Sequence, residues 1–235
     1  MALLAATATG QTRDQGARQE RRVALVIGNG DYDQGRLRNP VNDARAIAHA
    51  LRGAGFEVIA NENADRVAMY EAIIAFGDRL KEIKGVGLFY FSGHGLQVQG
   101  KNFMVPLRAR ITSERMVETE AIDVNRVLGE MDAAQARVNI VILDACRDDP
   151  YTRSFRSGSR GLAQIDAPRG TLIAYATAPG KVAEDGTGPN SPYTSALVKH
   201  IAAPGLDIEK VFKRDRKSTR LNSSHSRASR MPSSA

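Results

Sequence analysis

Two apolar runs that each stop abruptly at a reactive side chain constrain this chain more than any other feature. Residues 86–91 lead into S-G-H-G and so to His94; residues 138–143 lead into D-A-C and so to Cys146, the only cysteine among 235 residues. Runs of this length, rich in β-branched and aromatic residues and lacking polar alternation, are what central strands buried on both faces require. In an open parallel sheet, ligands and chemistry gather at the carboxyl edge of the strands. Two neighbouring strands of this kind would present an imidazole and a thiol on one rim, a base beside a nucleophile.

The pattern around these runs alternates strand and helix. A strand is predicted over 23–28. Asn39-Pro40 then supplies an N-cap with proline at the first helical position, and Val41, Ala44, Ala48 and Leu51 recur at helical spacing up to Gly53. A second strand is expected over 56–60. Asp65 caps a second helix whose apolar stripe reads Val67, Tyr70, Ile73, Ile74, Leu80 and Ile83. The third strand ends at His94, and a small β-hairpin follows over 96–106 around a Q-G-K-N turn. A third helix over 122–136 feeds the strand ending at Cys146, a further strand covers 171–176, Ser191-Pro192 opens another helix and Asp207 caps a last one. Such alternation, without internal repeats, predicts a parallel sheet covered by helices on both faces.

The ends are different in character. The opening M-A-L-L-A-A-T-A-T-G resembles the end of a secretory signal, without a basic n-region or a full apolar core. It reads either as a truncated export signal, which would send the protein to the periplasm or outside, or as a leader without an address, which would leave it in the cytoplasm. With a polar linker it occupies 1–20. Residues 215–235 are nearly devoid of large apolar side chains, so they are expected to be a disordered tail of non-native appearance. The folded domain is accordingly placed at 21–214, and a natural carboxyl-terminal strand is expected to be missing. That tail also holds five basic residues against one acid, which accounts for +4 of the net charge of +7. The remainder is near neutral, so the basic balance does not predict a nucleic-acid partner. No stretch approaches the length of a membrane span.

Cysteine attacks as the thiolate, and a neighbouring histidine both lowers the thiol pKa and returns the proton to the leaving group. Gly95 lets the backbone turn after His94, so that the amides of Gly95 and Cys146 could cradle an oxyanion. Other chemistries fit poorly. G-N-G after the first strand lacks the third glycine of a dinucleotide fingerprint, Asp33 standing in its place, and no Walker lysine follows. No G-x-S-x-G elbow exists, and His49, His94, His200 and His225 lie too far apart to form a zinc motif with a single thiol. No metal and no cofactor are expected.

Five pieces, in order, resemble the caspase-fold cysteine peptidases of the metacaspase and paracaspase branch, particularly bacterial members: V-A-L-V-I-G-N at 23–29, N-P-V-N-D-A at 39–44, F-Y-F-S-G-H-G at 89–95, I-L-D-A-C-R at 142–147 and Y-A-T-A-P-G-K-V-A-E-D at 175–185. The resemblance covers roughly 22–213 and implies a three-layer α/β/α sandwich with a mostly parallel central sheet. It implies His94 as general base and acid, Cys146 as nucleophile, and the Gly95 and Cys146 amides as oxyanion hole. It also implies a primary specificity pocket formed by Asp43, Ser92, Asp144 and Asp185. Caspases carry a glutamine two residues before the cysteine; Asp144 stands there, and several carboxylates in one pocket call for a cationic partner. The implied activity is cleavage of polypeptides after Arg or Lys, not after Asp. An alternative is a catalytically inactive caspase-like module used for interaction or regulation.

Two departures stand out. After the cysteine the chain reads C-R-D-D-P instead of the C-H-S-G typical of metacaspases. Many metacaspases are activated by calcium through an acid-rich stretch beyond the histidine, and residues 96–113 contain no Asp or Glu, so calcium independence is expected. Arg153, Arg156 and Arg160 follow the nucleophile, where an enzyme selecting basic residues could cut itself. Oligomeric state is not legible.

Overall fold

The computed structural model describes residues 20–146, 151, 162–165, 167–176 and 188–201, with Cys146 described by its strand position. The leader, the arginines after the cysteine, Asp185, Asp207, the expected loss of a last strand and the tail all fall outside those residues.

Five strands run parallel in the order β2 (Glu57–Glu62), β1 (Arg22–Gly28), β3 (Val86–Val98), β6 (Val138–Cys146) and β7 (Thr171–Tyr175). β3 does not stop at His94 as its apolar run suggests. It pairs with β6 as far as His94 and from Gly95 onward pairs antiparallel with β4 (Lys101–Met104), which in turn holds the two-residue β5 (Ile122–Asp123). The hairpin closes through Gln99 and Gly100, both at positive φ, which matches a two-residue turn of the type that suits strand twist. The hairpin expected over 96–106 is therefore not a separate unit: its first strand, L-Q-V at 96–98, is the unbroken end of β3.

Alternate residues of the strands feed two separate layers. Ala24, Val26, Leu88, Tyr90, Ile140 and Ile142 pack under α1 (Pro40–Gly53) and α5 (Pro192–Ile201). Leu25, Ile27, Phe89, Phe91, Val141 and Leu143 pack under α2 (Arg66–Ile83) and α4 (Val124–Ala133). The result is the expected three-layer α/β/α sandwich. Fully buried side chains such as Ile47 and Leu51 of α1 each contribute roughly 1.5–3 kcal/mol by leaving water.

Local details correct several expectations. Proline opens α1, yet Asn39 makes no side-chain capping bond, its backbone being helical already; Asp65 does cap α2, accepting from the Ala68 N–H at 3.0 Å. The stripe predicted for α2 holds at Ile73 and Leu80, which are fully buried, and at Tyr70 and Ile83, which pack against the core half-buried, but fails at two positions. Val67 is 62% exposed and Ile74 44%, while Met69, Ile73, Phe76 and Leu80 form the buried face. The buried face takes in Met69 and Phe76, which the predicted stripe omits, and leaves out Val67 and Ile74. The helix expected from residue 122 begins at Val124, after β5, and a short turn α3 (Val117–Glu120) precedes that strand. Among the described residues no helix is long and apolar enough to cross a membrane.

Candidate active site

The ladder between β3 and β6 pairs Ser92 with Asp144 and His94 with Cys146. Residues two apart on a strand share a face. Ser92, His94 and Asp144 therefore share the face that carries α1 and α5, with Cys146 opposite His94 in the ladder at the carboxyl edge.

His94 is fully buried, and its Nε2 lies 2.6 Å from the carbonyl oxygen of Gly35. A carbonyl can only accept, so Nε2 carries the hydrogen and the neutral ring keeps its lone pair on Nδ1. The Tyr32 ring lies against the imidazole at 4.5 Å, tilted by 51°, and Tyr151 meets it edge-on at 6.2 Å. The next residue, Gly95, is hemmed in. A Cβ there would come within 2.8 Å of the Ala145 Cβ and 3.2 Å of the Leu162 side chain, so β3 and β6 approach closely beside the His94–Cys146 pair. Alternation from the hairpin turn makes Gly95–Met104 a non-hydrogen-bonded pair, which turns the Gly95 N–H away from β4.

The acids gather next to this pair. Asp43, in the first turn of α1, is only 1% exposed, and its Oδ1 accepts from the Ser191 N–H at 2.9 Å and from Asn190 Nδ2 at 3.0 Å. Asp144 Oδ2 accepts from the hydroxyls of Ser191 at 2.7 Å and Thr194 at 3.1 Å, and the Tyr90 hydroxyl, 3.3 Å from the same oxygen, lies 2.7 Å from Thr194 Oγ1, to which it can donate in turn. Ser191 thus touches both carboxylates, while its Oγ also accepts the Thr194 N–H and caps α5. Ser92 is buried and bonds Tyr90. Burial pushes the Asp43 carboxyl from 3.8 up to about 6; the Asn190 and Ser191 bonds oppose this and the charge of Asp144 adds to it. The Tyr90 phenol is driven well above its ordinary value, first by burial and then by Asp144 and Asp43, so it remains a donor. Of the sequence-predicted residues, Asp43, Ser92 and Asp144 share one buried network, His94 and Cys146 are opposite in the ladder, and Asp185 lies outside the described residues.

Comparison with known proteins is consistent with this geometry. The caspase domain model of the peptidase C14 family matches residues 21–234. The chain belongs to the caspase-domain family. Its fold is therefore of the cysteine-peptidase type. It is 32% identical over 139 residues to human mucosa-associated lymphoid tissue lymphoma translocation protein 1, covering 58% of this chain, and 32% identical over 128 residues to the mouse homologue, covering 54%. The matched parts are 16% and 15% of those longer proteins. The structure of the Drosophila initiator caspase Dronc superposes with a TM-score of 0.57 at 16% identity, over 84% of this chain and 72% of that one, which shows a shared caspase fold.

Several contributors of this caspase-like site were not legible beforehand. Gly35 acts through its backbone carbonyl and leaves no side-chain signal. Tyr90 sits inside an apolar run and reads as core. Ser191 and Thr194 read as a helix cap, which they are; the spacing of Tyr90 and Ser92 on one strand face was the one available hint that hydroxyls would meet Asp144.

Proposed function

We propose that the protein is a cysteine endopeptidase in which His94 and Cys146 form the catalytic dyad and Asp43, Ser92 and Asp144, with Asp185, select Arg or Lys at the cleaved bond. The His94–Cys146 register pair carries the reading. The thiol proton passes to His94 Nδ1, the thiolate adds to the scissile carbonyl, and the oxyanion takes hydrogen bonds from the Gly95 and Cys146 amides. His94 then protonates the departing amine as the C–N bond breaks, leaving a thioester that water hydrolyses with His94 as base. Two buried carboxylates that share Ser191 favour a cation in the socket, since burial already disfavours ionisation of Asp43 and the charge of Asp144 adds to that cost.

The test uses purified protein with Arg-, Lys- and Asp-terminated peptide reporters and Cys146→Ala as control. Cleavage after Arg and Lys that vanishes in the variant is expected, with or without millimolar calcium. Preference for Asp would overturn the pocket assignment, and binding without turnover would favour the inactive module.

A further inference from the structure

At the point where β3 changes partner, one rung of its ladder is made through a side chain. The Val105 N–H donates to the His94 carbonyl at 3.0 Å, as an antiparallel pair should. The reciprocal bond passes through Tyr32: the His94 N–H donates to the Tyr32 hydroxyl at 3.1 Å, and that hydroxyl donates to the Val105 carbonyl at 2.9 Å. Tyr32 is 4% exposed and its ring is the one lying 4.5 Å from the imidazole. Room for the hydroxyl depends on Gly93, where a Cβ would sit 2.6 Å from it. The same loop also supplies the Gly35 carbonyl that receives Nε2–H. It is anchored by the Asn29 N–H on the Ser92 carbonyl and by Asn29 side-chain bonds to the Ala64 backbone.

We propose that Tyr32 is a positioning residue for His94: its hydroxyl fixes the backbone of the histidine and its ring fixes the imidazole plane, so that Nε2 stays on Gly35 and Nδ1 is presented for proton transfer. This rests on the His94–Cys146 dyad reading. A ring held at both backbone and edge has few orientations left, and misorientation of a base lowers the chemical step more than substrate binding.

The experiment compares wild type, Tyr32→Phe and His94→Ala in two measurements: kcat and KM on an Arg reporter, and the rate at which iodoacetamide alkylates Cys146 at pH 7 and at pH 10. For Tyr32→Phe a 10- to 100-fold loss in kcat is expected, roughly, with KM within about twofold, and alkylation about tenfold slower at pH 7 but equal at pH 10, where the thiol ionises unaided. Unchanged kcat, or slow turnover with alkylation at the wild-type rate, would overturn the proposal. Equal alkylation of wild type and His94→Ala would instead sink the dyad reading. Gly93→Ala, whose Cβ would press on the Tyr32 hydroxyl as well as on the Phe91 ring and the Asn29 carbonyl, should likewise lower kcat more than it raises KM. Loss of cooperative unfolding in both variants would assign Tyr32 to stability alone and refute a positioning role.

Discussion

Asp43→Asn should make the folded protein more stable while removing the preference for basic residues proposed above. Asp43 is buried, and its carboxyl is raised from 3.8 to about 6, chiefly by burial. Each pKa unit corresponds to ~1.4 kcal/mol, so ionising this group in the folded chain costs about 3 kcal/mol relative to ionising it in the unfolded one. The sign follows from the direction: folding favours the protonated acid, so this contribution to stability is full below pH 3.8, declines as pH rises, and is lost above about 6. Asparagine never ionises and keeps an oxygen for the Ser191 N–H and the Asn190 amide. In a Cys146→Ala background, Asp43→Asn is therefore expected to exceed its parent by up to about 3 kcal/mol above pH 6, an increase in Tm of about 6 to 12 °C, with the gap closing toward pH 4. Urea and thermal unfolding at half-unit pH steps read this directly. A variant less stable than its parent at pH 8, or a gap that stays flat between pH 4 and 7, would refute the reasoning. With Cys146 restored, the same substitution should lower kcat/KM for Arg reporters by on the order of 30-fold or more, the loss expected when one partner of a buried charge pair is removed.

Ser191→Ala removes a donor to Asp144 and the acceptor that caps Thr194, so a loss of about 1–3 kcal/mol in stability is expected, with KM for Arg reporters rising more than kcat falls; steady-state kinetics and urea titration check both parts. Val67→Lys, on the face of α2 that the apolar pattern assigned to the core, should change stability by less than ~0.5 kcal/mol. A loss of several kcal/mol in chemical denaturation would restore the buried assignment.

The parts of the fold that could be read beforehand are those where one physical demand dominates. Strands buried on both faces must be apolar, so β1, β3 and β6 stood out, and Pro40 and Gly53 marked the ends of α1 because each residue has one suitable place in a helix. Demands that compete left weaker signals. α2 carries more apolar residues than one face can bury, so Ile73 and Leu80 were legible as core while only its packing on the sheet and α4 decides between Val67 and Met69. Beyond His94, β3 runs on without a break into the strand that was legible as half of a separate hairpin, because a change of pairing partner leaves no mark in the sequence. In the candidate site, Asp43 and Asp144 were singled out from short motifs, and the structure brings them together through Ser191. Tyr32, Tyr90 and Gly35 escaped notice for separate reasons: a tyrosine in a loop, a tyrosine in a core run and a backbone oxygen look ordinary until their neighbours are known.

The first turn of α5 sets a polarity for the socket that side-chain exchange alone would not reverse. The Ser191 amide and the positive end of the helix dipole both face Asp43 and Asp144. Basic groups substituted at these two positions, to recruit an acidic peptide residue, would meet that positive end and would leave the Ser191 and Thr194 hydroxyls without their acceptors. Reversing the proposed charge preference thus requires re-aiming a helix, which would tie any choice of peptide to the architecture of the third layer.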